Sequence, residues 1–401
     1  MTKKQVKGRS KTPNTKKSTN ALSSASPSNP TKKIIEALKA EFEFRLNIGN
    51  MKVEFRHKDK VCYRDLTDCD LNSLKVWLNL KDISCSKETL RGIIFSNMWP
   101  MFDPYRSFLE GLPEWDGHDY FSDLAATLVS DDQRFLVWSL RKWLVGLVAS
   151  LADDEAVNQI ALIFCGIQGA GKSTWFRSII PPELKKYVSS GYLDPRDKES
   201  LIQLSELVLF IMDEIENLKA KNVEAIKEMM TKSSMYLRRA YCVLSQNYVR
   251  RCSFCGTANG IEILHDASGN RRFLCHNLLD IVDYKLKGFN LNQLYAQAYN
   301  LYNDGFQYWL DAKEQAAVEK QNARFRSMSL EEELIMTYYE PCQDGDAGAK
   351  RMQAHEIQEA LQSKSNCGRL NSVAIGRILS AKGFIKRKSN GISKWFIKEK
   401  M

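Results

Sequence analysis

The sequence predicts an α/β fold in which a parallel-sheet core is flanked by a small N-terminal α+β domain and a C-terminal winged helix. Two observations predict the core. An apolar run at residues 162–165 leads into a glycine-rich turn and a helix, and a second run at residues 207–212 ends in two acids. Three helical patterns followed by a basic hairpin predict the winged helix. The expected segments are a basic tail at residues 1–31, the α+β domain at 32–110, the core domain at 111–325 and the winged helix at 329–401.

Positive charge is concentrated in the tail. The chain carries 58 Lys and Arg residues against 48 Asp and Glu, a net charge of +10. Residues 1–33 hold nine of the basic side chains and no acid, so the remainder is close to neutral. The tail is predicted to be disordered, either as a solubilising segment or as an arm that adds sequence-independent phosphate contacts. Net charge alone therefore gives little support to a nucleic-acid partner.

The cysteine and hydropathy patterns predict a cytoplasmic protein without a membrane partner. The ten cysteines form no secreted disulfide framework. Residues 1–33 contain no apolar segment typical of a secretory signal. The most apolar stretch, residues 144–152, is too short to cross a bilayer. A zinc site is not expected, because its candidate ligands lie on predicted core strands; they are Cys252, Cys255, Cys275 and His276.

The part before the core alternates between helical and strand patterns and contains no catalytic constellation. Its predicted elements are helices at residues 33–44, 70–80 and 86–95, with one or two strands between residues 44 and 63. A connection rich in proline and glycine follows. Residues 133–151 are then predicted to form a long apolar helix inside the core domain.

Residues 166–174, called here the glycine-rich loop, read Gly-Ile-Gln-Gly-Ala-Gly-Lys-Ser-Thr. Glycines at this spacing let backbone N–H groups turn inward and cradle phosphate oxygens. We expect Lys172 to reach the β- and γ-phosphates of ATP and the Ser173 hydroxyl to hold Mg²⁺. The alternative is a structural glycine turn that matches the pattern by chance. The residues expected around the phosphates are Gly166, Gln168, Gly169, Ala170, Gly171, Lys172, Ser173 and Thr174.

The second apolar run is followed directly by Asp213 and Glu214. An acid at the end of a buried strand, about forty residues after a phosphate loop, suits a Mg²⁺ ligand that acts directly or through water. Asp213 is the candidate for that role, and Glu214 suits a general base that orients the attacking water. The alternative is an acid that ends an α/β strand without a catalytic role.

Two further motifs suit contacts with the γ-phosphate. Residues 251–259 form a third apolar strand that ends in Asn259, whose amide can hold water, although asparagine is also common in loops. Arg271 and Arg272 follow a turn at Gly269 and precede another strand. Such a pair suits stabilisation of charge on the phosphate, and a solvated or ion-paired arginine pair is the alternative.

Two basic hairpins are candidates for contacts with DNA. The predicted hairpin at residues 235–253 mixes basic and aromatic side chains, although a merely solvated hairpin fits as well. In the winged helix, the helix at residues 372–382 is expected in the major groove and the hairpin turned at Asn390-Gly391 along the phosphates. The alternative is a winged helix that contacts protein. The side chains expected to contact DNA are Arg238, Arg250, Arg251, Arg377, Lys386, Arg387, Lys388 and Lys394.

Taken in order, these motifs resemble the virulence-associated protein E family, phosphate-loop ATPases related to superfamily 3 helicases of phages, viruses and integrated elements. The resemblance covers roughly residues 100–285 and implies an AAA+/superfamily 3-like core. Near Arg238 the sequence Arg-Arg-Ala-Tyr-Cys departs from the proline and glycine typical of the family. The motifs that carry the resemblance are Trp115-Asp116-Gly117, the glycine-rich loop, Asp213-Glu214, Arg238-x-x-Tyr241, Gly256-Thr257-x-Asn259 and Gly269-Asn270-Arg271-Arg272-Phe273.

The resemblance also implies roles and a function. The resemblance implies that Lys172 and Ser173 bind phosphate and Mg²⁺. It implies that Asp213 and Glu214 act on the metal and the attacking water, and that Asn259 senses the γ-phosphate. Arg271 or Arg272 would act on ATP in a neighbouring subunit, which implies a homo-oligomer, expected to be a hexameric ring. The expected function is an ATP-driven, helicase-like motor on DNA that serves replication or mobilisation of an integrated element. The alternatives are a nucleotide-gated DNA-binding or excision factor that does not unwind DNA, and a host-defence or regulatory ATPase.

Overall fold

The computed structural model describes residues 29–194, 197–217, 220–239, 244–264, 270–365, 368, 370–389 and 392–400. The predictions for most of the tail, for Gly269, for residues 240–242 and for the Asn390-Gly391 turn lie outside these residues. The described chain forms two compact units, one of residues 29–47 with 52–102 and one of residues 48–51 with 103–400.

Helices contain more of the described residues than strands do. The α-helices are α1 Pro30–Glu41, α2 Asp68–Leu80, α3 Lys87–Ile94, α4 Pro104–Glu110, α5 Tyr120–Ala126, α6 Gln133–Ala152, α7 Lys172–Ser178, α8 Lys198–Glu206, α9 Ala220–Met229, α10 Leu291–Asn303, α11 Ala312–Asn322, α12 Leu330–Tyr338, α13 Ala354–Ser365 and α14 Ser372–Ala381. Short 3₁₀ turns occur at Pro182–Tyr187, Ile215–Asn217, Asn270–Arg272 and Ala323–Phe325.

The strands form four sheets. They are β1 Phe42–Asn47, β2 Lys52–His57, β3 Arg64–Asp65, β4 Met101–Phe102, β5 Leu128–Ser130, β6 Ala161–Gly166, β7 Val188–Gly191, β8 Leu209–Met212, β9 Ser234–Leu237, β10 Gln246–Val249, β11 Ser253–Ala258, β12 Phe273–Ile281, β13 Tyr339–Pro341, β14 Ala349–Met352, β15 Lys386–Ser389 and β16 Ile392–Glu399. The predicted mixed α/β class is confirmed at this level.

The first unit is a small α+β body. Its sheet has the order β3-β2-β1-β4, with β1 and β2 antiparallel and β4 parallel to β1. Alternation of apolar side chains in β1 and β2 turns Phe44 and Phe55 toward α1, α2 and α3, where they join Trp99 in one core. Thr67 begins α2 with a reciprocal capping box to Asp70, as the local sequence favours.

The second unit is built on a six-stranded sheet of order β5-β12-β6-β11-β8-β7. All its strands are parallel except β5, which pairs antiparallel with β12 at the edge. Parallel strands end on the same side of a sheet. We call the side where β6, β8 and β11 end the carboxyl edge, and the side where β6 and β12 begin the amino edge.

Helix α6 packs against this sheet through its apolar side chains. Trp143 is fully buried and its Nε1 donates a hydrogen bond of 2.8 Å to the Phe254 carbonyl oxygen. The helix has 20 residues and is apolar enough to cross a membrane, but 72% of its most apolar window is buried inside the protein. The predicted helix at residues 133–151 is confirmed, and the burial of α6 identifies it as part of the core.

The C-terminal segment of the second unit has its own small core. Helices α12, α13 and α14 pack around Ile335, Leu361 and Ile375, against a sheet in which β16 pairs with β13, β14 and β15. Three helices followed by the β15–β16 pair is the order that the sequence predicts, and α14 corresponds to the predicted helix at residues 372–382. Strands β13 and β14 were not among the predicted elements.

Candidate nucleotide-binding site

The carboxyl edge of the six-stranded sheet carries a cleft of about 470 Å³. The cleft lies between the turns that follow β6, β8 and β11. Strand register brings these turns together, because Ala258 pairs with Cys165 and Gly256 pairs with both Ile163 and Met212. The residues that line the cleft are Gln168, Gly169, Ala170, Gly171, Lys172, Ser173, Thr174, Asp213, Glu214, Thr257 and Asn259.

The glycine-rich loop requires glycine at its two ends. Gly166 has φ +139°, and a Cβ at this position would lie 2.4 Å from the Leu278 carbonyl oxygen. Gly171 has φ +90° immediately before α7, with Tyr284 3.0 Å from the position of a Cβ. At Gly166 a side chain is excluded by conformation and by space, and at Gly171 the positive φ would strain a side chain that would also press against Tyr284. The loop is therefore held tightly curled between β6 and α7.

Lys172 lies across the inside of this loop. Its Nζ donates hydrogen bonds to the carbonyl oxygens of Gly166, at 2.9 Å, and Ile167, at 2.7 Å. Burial lowers the pKa of the Lys172 ammonium, and the charges of Cys165 and Glu216 oppose that shift. The ammonium is thus a donor enclosed by backbone at the place where an anion would enter the loop.

Ser173 and Asp213 meet across the floor of the cleft. The Ser173 Oγ donates to Asp213 Oδ1 at 2.7 Å, and the Thr257 Oγ1 donates to the same oxygen at 3.4 Å. Hydroxyl and carboxylate oxygens are the hard ligands that Mg²⁺ prefers. Among the described residues there is no cluster of three or more His, Cys, Asp or Glu side chains. The donor set therefore fits a Mg²⁺ ion that takes its other ligands from phosphate and water.

Glu214 occupies a strained backbone position beside Asp213. Its φ of +53° lies in the left-handed region, which a non-glycine residue seldom adopts and which often occurs at functional sites. The exposed carboxylate accepts a hydrogen bond of 3.0 Å from Asn217 Nδ2. One carboxylate of this turn is thus directed at the floor of the cleft and the next is open to solvent.

Asn259 follows β11 on the same edge, with its side chain lining the cleft. Its backbone N–H donates to Glu216 Oε1 at 3.0 Å. Sequence reasoning assigned no site role to Thr257 or Glu216, although both help to form this edge. Thr257 was visible as the second residue of Gly-Thr-x-Asn. Glu216, in a short 3₁₀ turn, had no comparable signal.

Arg271 and Arg272 lie at the amino edge, away from the cleft. They end the 3₁₀ turn before β12 and line a hollow of about 210 Å³ beside Gln159 and Ile160, which precede β6. Five residue steps along β6 separate the two edges by about 17 Å. The distance exceeds the reach of an arginine side chain, so neither arginine serves the cleft of its own chain.

Two of the predicted DNA contacts are wrong. Arg250 is 1% exposed and donates to backbone carbonyls, among them Lys232 at 2.7 Å and Met230 at 3.0 Å. Burial lowers its pKa to about 10. Arg251 is 6% exposed and forms an ion pair of 2.6 Å with Asp154. Both side chains stabilise the interior, because tertiary packing covers the strand that follows the β9–β10 hairpin.

The other basic candidates reach the surface. Arg238 is exposed at the end of β9. In the C-terminal segment, Arg377 of α14 and Lys386 of β15 line one groove of about 680 Å³, beside Trp395. Lys388 is exposed, Lys394 is half-buried, and Arg387 forms an ion pair of 3.1 Å with Asp344. The groove brings together two of the expected contacts, and Arg387 is partly neutralised.

The chain is similar to known proteins in sequence and, weakly, in structure. No protein of curated function matches it. An apo structure of the NrS-1 C terminal region (305-718) has 13% identity and a TM-score of 0.45, covering 93% of this chain and 100% of that one. An A form apo structure of the same region has 12% identity and a TM-score of 0.44, covering 92% and 100%.

The comparison of the sequence with models of protein families shows the family of this chain. The model of the virulence-associated protein E-like domain matches residues 109–327, which is more than half of the chain. These residues include the cleft, the glycine-rich loop and the arginines of the amino edge. The resemblance seen in the motifs is confirmed, and the protein belongs to the virulence-associated protein E-like family.

Proposed function

We propose that the protein hydrolyses ATP with Mg²⁺ in the carboxyl-edge cleft and uses the energy to move on DNA, as a helicase-like motor of an integrated mobile element. The observation that carries this proposal is the convergence of Lys172, Ser173 and Asp213. The Lys172 ammonium is enclosed by the glycine-rich loop. The Ser173 hydroxyl contacts the Asp213 carboxylate at 2.7 Å, although these two residues are 40 positions apart in the sequence. A structural glycine turn would require neither of them.

The cleft residues have complementary roles in hydrolysis. Water attacks the γ-phosphorus, the bond to the bridging oxygen breaks, and ADP and phosphate leave. Lys172 binds the phosphate oxygens, and Glu214 takes the proton of the attacking water, which Asn259 holds. Mg²⁺, when bound at Ser173 and Asp213, supplies charge neutralisation.

The arginines complete the site from another copy. Because Arg271 and Arg272 lie about 17 Å from their own cleft, they can neutralise γ-phosphate charge only in a neighbouring subunit. A head-to-tail interface of this kind closes into a ring when the rotation between copies allows it. We propose a ring of identical subunits, with six as the expected number.

The C-terminal segment is proposed to act as a winged helix on DNA. Helix α14 would enter the major groove, and β15 with β16 would follow the phosphates. Arg377 and Lys386 face one groove and are the leading contacts, with Lys388 and Lys394 nearby. Arg238, on the β9–β10 hairpin, is a further contact.

The test is to measure DNA-stimulated ATPase activity beside separation of a forked duplex by the purified full chain. A motor should hydrolyse ATP faster with DNA and separate the strands, and Lys172→Ala should lose both activities. Hydrolysis without strand separation would favour the alternative, a nucleotide-gated DNA-binding or excision factor. Hydrolysis that survives Lys172→Ala would refute the assignment of the cleft.

A further inference from the structure

We propose that a surface at the amino edge binds the nucleotide cleft of a second copy of this chain, with Trp309 as its aromatic anchor. We call this surface, formed by Arg271, Arg272, Tyr308 and Trp309, the arginine face. The proposal rests on the shared hydrolytic site proposed above. It adds the residues that hold the two copies together.

The composition of the arginine face is that of an interface centre. Trp309 is 54% exposed, and its ring packs edge-on against Tyr308 with 5.3 Å between centroids. Both residues line the same hollow as the two arginines. Tryptophan, tyrosine and arginine are the residue types that contribute most to binding at protein interfaces. A large exposed indole beside such a hollow is therefore suited to bind a partner.

The two arginines lack a partner among the residues that the structure describes. Among the described residues, neither Arg271 nor Arg272 forms an ion pair or a side-chain hydrogen bond. Partial burial and then the charge of Arg271 lower the pKa of Arg272. Adjacent guanidinium groups repel each other until an anion lies between or above them. The face thus carries a positive charge that no residue in the described part of the chain neutralises.

The backbone beneath the arginines is held in place. Lys227, which is buried, donates from Nζ to Asn270 Oδ1 at 3.0 Å. Asn322 Nδ2 donates to the carbonyl oxygens of Asn270, at 2.9 Å, and Phe273, at 2.8 Å. These bonds fix the 3₁₀ turn on both sides of the arginine pair. The backbone of this turn therefore needs no further ordering on binding, which reduces the entropy lost there.

The segment that carries Trp309 is held in the same way by Lys142 of α6. This lysine is 5% exposed, and its Nζ donates to the carbonyl oxygens of Gln307, at 2.7 Å, and Trp309, at 3.4 Å. It also forms an ion pair of 2.7 Å with Glu314. The exposed indole is thus mounted on a segment that is tied to the long core helix. Such preorganisation favours binding.

The cleft of a second copy has the matching chemistry. Asp213 and Glu214 are acidic, and a bound nucleotide would add its phosphates, so the carboxyl edge is negative where the arginine face is positive. The copy's own cleft is about 17 Å away across the sheet and cannot be the occupant. The contact is therefore head-to-tail, with Trp309 packed against the protein surface that borders the cleft of the next copy.

The experiment uses Trp309→Ala in the full chain. ATPase activity is measured across a series of protein concentrations, and association is followed by sedimentation velocity. Loss of an aromatic anchor should raise the concentration for half-maximal activity by about 30-fold. Binding of a fluorescent ATP analogue should stay at the wild-type level, because the cleft is intact. The concentration for half-maximal activity of Trp309→Phe should lie between those of the wild type and Trp309→Ala. Phe95→Ala is the control, because Phe95 is a similarly exposed aromatic residue at 52%, and its concentration dependence should match that of the wild type.

Mixing of variants separates this proposal from the shared site itself. Trp309→Ala mixed with Lys172→Ala should regain activity, since about a quarter of the random interfaces join an intact face to an intact cleft. An unchanged concentration dependence of Trp309→Ala would overturn the anchor. The anchor would also be overturned if the mixture of Trp309→Ala with Lys172→Ala stayed inactive while the mixture of Arg272→Ala with Lys172→Ala regained activity. If the mixture of Arg272→Ala with Lys172→Ala also stays inactive, the shared hydrolytic site is refuted, and the proposal for Trp309, which rests on it, is refuted as well.

Discussion

The two edges of the six-stranded sheet differ in how far one chain completes them. At the carboxyl edge, Lys172, Ser173 and Asp213 form hydrogen bonds with residues of the same edge. At the amino edge, the backbone is fixed by Lys227 and Asn322, but the guanidinium groups of Arg271 and Arg272 have no partner among the described residues. The carboxyl edge thus has the features of a site within one chain, whereas the amino edge has those of the interface proposed above.

Strand β12 connects the two edges within one chain. It begins at Phe273, next to the arginines, and its Leu278 pairs with Gly166 at the start of the glycine-rich loop. A displacement at one edge can therefore be transmitted along β12 and through its pairing with β6 to the other. The contrast between edges predicts two complementation groups of variants, one for each edge.

The largest expected effect is at the carboxyl edge. Glu214→Gln should lower kcat by about 10² to 10⁴, because the amide cannot take the proton of the attacking water. Nucleotide binding should persist, since Lys172 and the loop are unchanged. The measurement is steady-state ATPase activity together with equilibrium binding of a fluorescent ATP analogue.

The two-group contrast gives this variant a matched control. Glu214→Gln mixed with Lys172→Ala should remain inactive, because both defects lie in the cleft. Mixed with Arg272→Ala, it should regain activity by supplying the arginines. Restoration by Lys172→Ala would mean that Glu214 acts across the interface, and the contrast between edges would be lost.

The carboxyl edge could be predicted from the sequence because its signals are local. The glycine spacing of residues 166–174, and the strands that end at Asp213 and Asn259, each depend on neighbours in the chain. Parallel pairing then places three strand ends on one side of a sheet. Thr257 was within the motif and overlooked, whereas Glu216 became visible only through its bond to the Asn259 N–H.

Burial and distant contacts could not be predicted in the same way. Arg250 and Arg251 have the composition of a DNA-binding hairpin, but tertiary packing encloses them, and sequence composition does not report burial. Trp309 lies far along the chain from Arg272, and no periodicity connects the two. The arginine face depends on how α6 and α11 pack against the sheet, which is a property of the whole unit.

An intermediate effect is expected at the amino edge. Asn270→Ala should destabilise the second unit by about 1 to 3 kcal/mol, because the buried Lys227 ammonium loses an acceptor. The arginines should also become less ordered, so ATPase activity should fall while ATP binding is retained. Urea unfolding and the mixing assay provide the measurements. Activity should return with Lys172→Ala subunits, and a failure there would place Asn270 in the carboxyl-edge group.

The smallest expected effect at neutral pH concerns His276, which lies in β12 between the two edges. The ring is fully buried, 4.8 Å from the Phe135 ring, and neither ring nitrogen has a hydrogen-bond partner among the described residues. Burial lowers the pKa of His276 to about 3. The unfolded chain, with an ordinary pKa of about 6.5, binds a proton between these values that the folded chain does not.

Stability contributed by the neutral histidine is therefore present above about pH 6.5 and decreases as pH falls toward 3, by at most about 1.4 kcal/mol per pH unit. His276→Leu should remove this part of the acid dependence, so its unfolding free energy relative to wild type should rise between pH 7 and pH 5. Urea unfolding followed by far-UV circular dichroism measures the unfolding free energies of the wild type and of His276→Leu at each pH. Equal pH slopes in the two proteins would contradict the burial of a neutral ring.

Because β12 joins the two edges, acid should weaken nucleotide binding and subunit association together. If one of the two were lost at a higher pH than the other, the edges would unfold separately.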